Sequence, residues 1–168
     1  MPGGFDCCAH TGRMNRGILG WTLVAIQFMI LIVVVLLPRT TPTHPRMAIG
    51  VPIIAAGVAL GLTAMLHLGS ALTPTPVPIQ GAGLRTGGAY RYVRHPIYSA
   101  ILLMAIGYAV VMGSLWTWVA VAVLAVFFVI KSRWEDSLLA AAYGDPWLEW
   151  SEGTGALVPR LRRRGSPG

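Results

Sequence analysis

Four apolar runs, each long enough to form a membrane-embedded helix, alternate with polar connections along the chain. They cover residues 18–37, 47–72, 97–112 and 115–130. The first two have at least 20 residues, the length that an α-helix needs to cross the hydrocarbon core. The last two are 16 residues each, about 24 Å as helices, and only the turn signal Gly113-Ser114 separates them. The pattern predicts an all-α integral membrane protein with about four transmembrane helices, the last two forming a hairpin.

The polar connections predict where the helices begin and end. Residues 73–94 are rich in glycine and have prolines at alternate positions, which disfavour a helix and favour an extended path. Pro96 is a favourable first residue for the third helix. The fourth helix is expected to continue past Lys131 to the stop signal Tyr143-Gly144. Asp145-Pro146 then starts a short aromatic helix that we expect at the membrane interface.

Composition and charge agree with a membrane protein and predict its orientation. The 168 residues are 55% hydrophobic and 11% charged, whereas soluble domains carry about 25% charged residues. The net charge of +7 does not indicate nucleic-acid binding, because the basic residues flank the apolar runs. With four spans, eleven of the thirteen basic residues lie on one side, which the positive-inside rule places in the cytoplasm.

Cysteine and histidine residues give little indication of chemistry. Cys7 and Cys8 are adjacent and unsuited to a mutual disulfide, so we expect two reduced thiols in a flexible tail. A lipidated juxtamembrane pair is the alternative. The four histidines lie in different segments, and no metal site is expected.

The most informative polar stretch is YRYVRHPIY at 90–98, immediately before the third apolar run. Because an antiparallel hairpin returns to its starting face, His95 and Tyr98 are expected to meet Lys131 and Glu135 there. The N-terminus of the third helix favours an anion, and Glu135 favours an ammonium group. This combination suits a zwitterionic ligand such as the methionine moiety of S-adenosylmethionine. The alternatives are membrane anchoring by the arginines, an interfacial tyrosine belt, a helix N-cap at His95 and a solvated acidic helix face.

Several motifs in one register resemble the isoprenylcysteine carboxyl methyltransferase family, in particular its bacterial members, and its phospholipid methyltransferase relatives. That family carries an RHPxY motif, a hydrophobic hairpin and a pair of glutamates, which correspond here to RHPIY at 94–98 and Glu135-Asp136. The surrounding run GLRTGGAYRYVRHPIYSAILL (83–103) is also similar, as are LTPTPVP (72–78), YGDPWLEW (143–150) and LVPRL (157–161).

The resemblance implies a membrane-embedded methyltransferase of the bacterial cell membrane that uses S-adenosylmethionine and faces the cytoplasm. Its lipophilic acceptor would enter from the bilayer. By position, the implied cofactor contacts are Leu84, Arg85, Tyr90, His95, Pro96, Ile97, Tyr98 and Glu135. The implied catalytic residues are Arg94, Lys131 and Glu135, with Arg94 and Lys131 nearer the reacting group or the acceptor's anionic end. Four residues depart from the family pattern: Asp136 replaces a glutamate, Lys131 replaces the arginine of eukaryotic members, and Trp147 and Trp150 stand where tyrosines are common.

The expected activity is carboxyl O-methylation of an isoprenylcysteine-like acceptor. A phospholipid amine N-methyltransferase and a small non-enzymatic membrane scaffold are the alternatives. On this interpretation the chain comprises a flexible N-terminal tail (1–17), two transmembrane helices (18–72), a methyltransferase catalytic region (73–161) and a basic tail (162–168).

Overall fold

The computed structural model describes residues 6–37, 39–69, 84 and 86–160, with side chains from residue 17 onward. Its five α-helices are α1 (Asp6–Leu36), α2 (His44–Leu68), α3 (Pro96–Met112), α4 (Leu115–Tyr143) and α5 (Asp145–Gly153). One 3-10 turn, Gly88–Arg91, precedes α3. Within these residues the β-structure is limited to an isolated bridge between Val93 and Gly155. The all-α class predicted from the sequence is confirmed.

Three of these helices are long and apolar enough to cross a membrane. The spans are Gly17–Leu36, His44–Leu68 and Leu115–Tyr143, whereas α3 is a shorter apolar helix of 17 residues. Large apolar side chains on the spans are exposed, among them Leu36, Leu66 and Trp116. Such a surface is unfavourable in water but matches the lipid of a bilayer. The protein is therefore an integral membrane protein.

The first helix differs from its predicted extent. α1 begins at Asp6 rather than at residue 18, so the helix includes much of the tail predicted to be flexible. Once the apolar run has formed a helix, adding residues is favourable, and no proline interrupts residues 6–17. The predictions for Cys7 and Cys8 concern side chains outside the described part, as do those for most of the 73–94 loop and for the basic tail at 162–168.

The α3–α4 hairpin closes at the predicted turn. Gly113 has a φ of 62°, the left-handed conformation that glycine adopts without strain. Thr40, in the α1–α2 loop, donates from its backbone N–H and its hydroxyl to the Met112 carbonyl, at 3.1 and 2.5 Å. Arg46 donates to the Thr40 hydroxyl at 2.8 Å, which places a positive charge at the negative end of α3.

Helices α2 and α3 approach each other closely because glycines line their contact. A Cβ atom on Gly50 would lie 2.6 Å from the Gly107 carbonyl oxygen, and one on Gly57 would lie 2.9 Å from the Ala100 carbonyl oxygen. Small residues allow such contacts between helices in membranes. Gly61, four residues after Gly57 on α2, has more room, because a Cβ there would lie 3.4 Å from the Ala100 Cβ. This contact fixes the position of α3.

Candidate active site

An ionic cluster lies where α3 begins and where α4 leaves its apolar run. The Tyr98 hydroxyl donates to Glu135 Oε2 at 2.8 Å. His95 Nε2 lies 2.8 Å from Asp136 Oδ1, and its Nδ1 lies 3.5 Å from Glu135 Oε2. Arg94 Nη2 lies 3.1 Å from the other oxygen of Asp136. The convergence across the hairpin that the sequence predicted is present in the structure.

His95 occupies the N-cap position of α3 without capping through its side chain. Its backbone carbonyl accepts the Ser99 N–H at 3.1 Å, while the imidazole contacts the two carboxylates of α4. The Asp136 carboxylate also pairs with Arg94. The contact between Nε2 and Asp136 fixes the orientation of the buried ring.

Three stacked rings connect the cluster to the hydrophobic core. The rings of His95 and Tyr98 are 5.4 Å apart and those of Tyr98 and Phe128 are 4.8 Å apart, with planes within about 10° of parallel. Phe128 is fully buried in the core formed by α1, α3 and α4. The polar atoms of Tyr98 and His95 are thus held at the end of a rigid aromatic row.

Lys131 lies one helical turn from Glu135, toward the apolar part of α4, and is 2% exposed. Its ammonium donates to Gln27 Oε1 at 2.6 Å and lies 4.9 Å from the centroid of the Tyr98 ring. Helix α1 therefore supplies a residue to this site, which sequence reasoning did not identify. The available signal was that Gln27 interrupts an otherwise apolar run that contains only one other polar side chain, Thr22.

Arg94 fastens the C-terminal part of the chain to the cluster. Its Nη1 donates to the carbonyl oxygens of Ser151 and Thr154 at 2.8 and 2.9 Å, and its guanidinium lies 5.8 Å from the centroid of the Trp147 ring. With Asp136 on its other terminal nitrogen, Arg94 joins α4 to α5. A catalytic role for Arg94 stays a prediction, whereas its structural contacts are defined.

The remaining predicted cofactor contacts lie before α3 or in its first turn. Tyr90 is buried, and this burial together with the nearby Glu135 raises its pKa to about 12, so the phenol is neutral at physiological pH. Pro96 is buried, Ile97 and Leu84 are partly buried, and Arg85 lies outside the described residues. The cluster thus brings together Tyr90, His95, Tyr98, Lys131 and Glu135.

His67, at the end of α2, lies against the 3-10 turn that carries Tyr90. Its ring fills the space beside Gly88, where any side chain would collide with it, and its Nδ1 lies 2.7 Å from the Thr63 carbonyl oxygen. In the parts of the chain that the structure describes, no group of three His, Cys, Asp or Glu residues is arranged to hold a metal ion.

Apolar spanning helices and a polar cluster where α3 begins define an integral membrane protein with a candidate site. Residues 45–146, more than half of the chain, match the family model described as "PEMT: Phospholipid methyltransferase". The chain belongs to this family of membrane methyltransferases.

Two known proteins of the isoprenylcysteine type are similar to this chain. Protein-S-isoprenylcysteine O-methyltransferase A of Arabidopsis thaliana is 35% identical over 78 residues, which are 46% of this chain and 40% of that protein. The solved structure of the eukaryotic intramembrane Ras methyltransferase ICMT (isoprenylcysteine carboxyl methyltransferase) has a similar fold, with a TM-score of 0.64 and 19% identity. That match covers 94% of this chain but only 54% of the ICMT chain. The chain therefore spans about half the length of these relatives.

Proposed function

We propose that the protein is an S-adenosylmethionine-dependent methyltransferase that O-methylates the carboxylate of a lipophilic, isoprenylcysteine-like acceptor. The observation that carries the proposal is the convergence of His95, Tyr98 and Lys131 around Glu135 at the start of α3. The names of the similar plant and intramembrane enzymes support the same reaction class. Charge bias supports a cytoplasmic orientation of this end of the helices, and the resemblance of the motifs to bacterial members supports a bacterial cell membrane.

The residues of the cluster fit the charges of S-adenosylmethionine. The ligand has a carboxylate, an ammonium and a sulfonium group. Glu135 provides a negative corner, and the N-terminus of α3 provides donors and a partial positive charge. Three buried N–H donors have no acceptor among the described residues: Arg94 Nε, Trp147 Nε1 and Trp150 Nε1. Buried donors normally have partners, so these fit a ligand rich in acceptor atoms.

The proposed chemistry requires positioning more than proton transfer. When bound, S-adenosylmethionine would supply an activated methyl group to a carboxylate oxygen of the acceptor, and the electron pair of the broken C–S bond would remain on sulfur. A carboxylate is already deprotonated, so no residue has to act as a base. Glu135 and Tyr98 orient the ligand, Lys131 offers a positive charge to the acceptor, and the aromatic row keeps water out.

Cofactor binding is the first test. S-adenosylmethionine and S-adenosylhomocysteine are titrated by calorimetry into detergent-purified protein, with Glu135→Gln as the test variant. Glu149→Gln is the matched control because Glu149 is an exposed residue of α5. We expect binding that Glu135→Gln abolishes and Glu149→Gln leaves intact. Equal affinity in both variants would refute the site, and no binding to the folded unmodified protein would favour the non-enzymatic scaffold.

Amine N-methylation of a phospholipid is the second candidate, and the description of the family model favours it. An amine must lose a proton to react, and Glu135 or His95 is placed to accept it. The two reactions are separated by their products after incubation with methyl-labelled S-adenosylmethionine. A base-labile label on N-acetyl-S-farnesylcysteine indicates a methyl ester, whereas a base-stable label on phosphatidylethanolamine indicates N-methylation.

A further inference from the structure

We propose that Gln27 is a positioning residue of this site: its amide oxygen holds the Lys131 ammonium against the Tyr98 ring and leaves the positive charge available to the methyl acceptor. The inference rests on the proposed function, in which Lys131 meets the anionic end of the acceptor. Gln27 lies outside the segment that matches the family model, residues 45–146. Helix α1 would therefore have a role in the site that the family match does not cover.

The contact between Gln27 and Lys131 lies between two membrane spans. Lys131 Nζ donates to Gln27 Oε1 at 2.6 Å, a short distance typical of hydrogen bonds from charged donors. Gln27 belongs to the span Gly17–Leu36, and Lys131 belongs to the span Leu115–Tyr143. Polar side chains in membrane spans are costly unless they are paired, and the pairs commonly serve function.

The Lys131 charge has no direct counter-ion within the described residues. None of the ion pairs found there includes Lys131, so no carboxylate oxygen lies within 4.0 Å of its Nζ. Glu135, one turn further along α4, accepts a hydrogen bond from the Tyr98 hydroxyl and lies near His95. The other neighbours of the ammonium are aromatic faces, Tyr98 at 4.9 Å and Phe127 at 6.0 Å.

This environment holds the charge in place without a direct ion pair among the described residues, and Glu135 attracts it only through space. An ammonium has three N–H donors, and the amide of Gln27 takes one of them. Ring faces stabilise a cation but provide no negative charge. A buried cation is strongly unfavourable unless an anion approaches it. The arrangement therefore suits an anionic group that arrives with the acceptor from the bilayer.

If the inference is correct, position 27 needs a neutral amide rather than a carboxylate or an apolar side chain. Glutamate at position 27 is nearly isosteric but would form an ion pair with Lys131 and neutralise it. Methionine has similar length and no strong acceptor, so it would leave the ammonium without its hydrogen bond. A residue that only joins two helices would tolerate glutamate, since an ion pair also joins them.

The experiment measures acceptor KM, kcat and cofactor affinity for the full chain in lipid nanodiscs. The probe acceptor is N-acetyl-S-farnesylcysteine, the variants are Gln27→Glu and Gln27→Met, and Thr22→Val is the control. Thr22 lies on α1, and within the described part of the chain its hydroxyl bonds only the Ile18 carbonyl of its own helix. Losing a hydrogen bond to a charged group predicts a rise in acceptor KM of about tenfold to a hundredfold for Gln27→Met. Gln27→Glu should raise the acceptor KM at least as much. In this variant the cofactor Kd should be unchanged and the melting temperature should not fall, since an ion pair also joins the two helices.

Each outcome decides a different part of the argument. Wild-type KM in Gln27→Glu, or parallel losses of cofactor affinity and thermal stability in both variants, would show that Gln27 only joins helices and would overturn the inference. In that case a methylated product from the unmodified chain leaves the proposed function standing. An unmodified chain that binds no S-adenosylmethionine overturns both, because Lys131 then has no acceptor to meet.

Discussion

The close contact between α2 and α3 gives a prediction that can be worked out from distances. The perturbation is Gly57→Ala. The added Cβ would lie 2.8 Å from Met104 Cγ, 2.9 Å from the Ala100 carbonyl oxygen and 3.0 Å from the Met104 backbone nitrogen. Ordinary van der Waals contacts are about 3.5–4.0 Å. Two of the three atoms belong to the α3 backbone, so the helices have to separate by several tenths of an ångström.

Gly61→Ala provides a control that carries the same intrinsic change. Each replacement gains about 1 kcal/mol because alanine is the better helix former. At Gly61 the nearest atom to the new Cβ is the Ala100 Cβ, at 3.4 Å. Overpacking at Gly57 costs about 1–3 kcal/mol. Since helix propensity cancels between the variants, Gly57→Ala should be less stable than Gly61→Ala by about 1–3 kcal/mol.

The assay is reversible unfolding of both variants in mixed micelles titrated with a denaturing detergent, followed by helical circular dichroism. The quantity compared is the difference in free energy of unfolding between the two variants. Because Ala100 lies two residues beyond Tyr98, Gly57→Ala should also weaken S-adenosylmethionine binding, whereas Gly61→Ala should not. Equal free energies of unfolding would refute the reasoning, because they would mean that the helices are not held at the observed separation.

Two further predictions concern the hydrogen bonds that hold the ends of α3. Arg94→Met should speed amide hydrogen exchange in α5, because it removes the hydrogen bonds to the carbonyls of Ser151 and Thr154. The control Arg91→Met, at an exposed residue, should leave the exchange rates unchanged. Equal exchange rates in the two variants would show that Arg94 does not hold α5 in place. Thr40→Val should lower the free energy of unfolding by about 1 kcal/mol, because the Met112 carbonyl loses its hydroxyl donor. An unchanged free energy of unfolding would show that the C-terminal end of α3 does not depend on this hydrogen bond.

The sequence predicted the parts of the site that depend on order along the chain. The turn at Gly113 returns α4 to the start of α3, which is why the pairing of Tyr98 with Glu135 was predictable from the hairpin alone. The end of α4 at Tyr143 was predictable from the glycine that follows it. These features depend on neighbouring residues in the sequence, or on one turn that brings α4 back antiparallel to α3.

The contribution of α1 was not predictable in the same way. An apolar helix in lipid has no face that hydrophobicity alone assigns to the protein interior, so the pattern did not reveal that Gln27 faces Lys131. The attachment of Arg94 to α5 likewise depends on how a short helix folds back after Gly144. The contact of Asp136 with His95 depends on side-chain direction, which adjacency to Glu135 does not determine.

The segment after α5 sets the order in which the protein acquires its site. Arg94 and His95 donate backbone N–H groups to the carbonyls of Gly155 and Ala156, at 2.8 and 3.0 Å, and the Ser99 hydroxyl donates to Leu157. These acceptors leave the ribosome after all five helices. During synthesis, the spans can therefore enter the bilayer while the residues before α3 still lack their partners. Membrane insertion and completion of the site are thus separate events in time. A nascent chain that stops after α4 carries the ionic cluster without the segment 155–157 that bonds Arg94, His95 and Ser99.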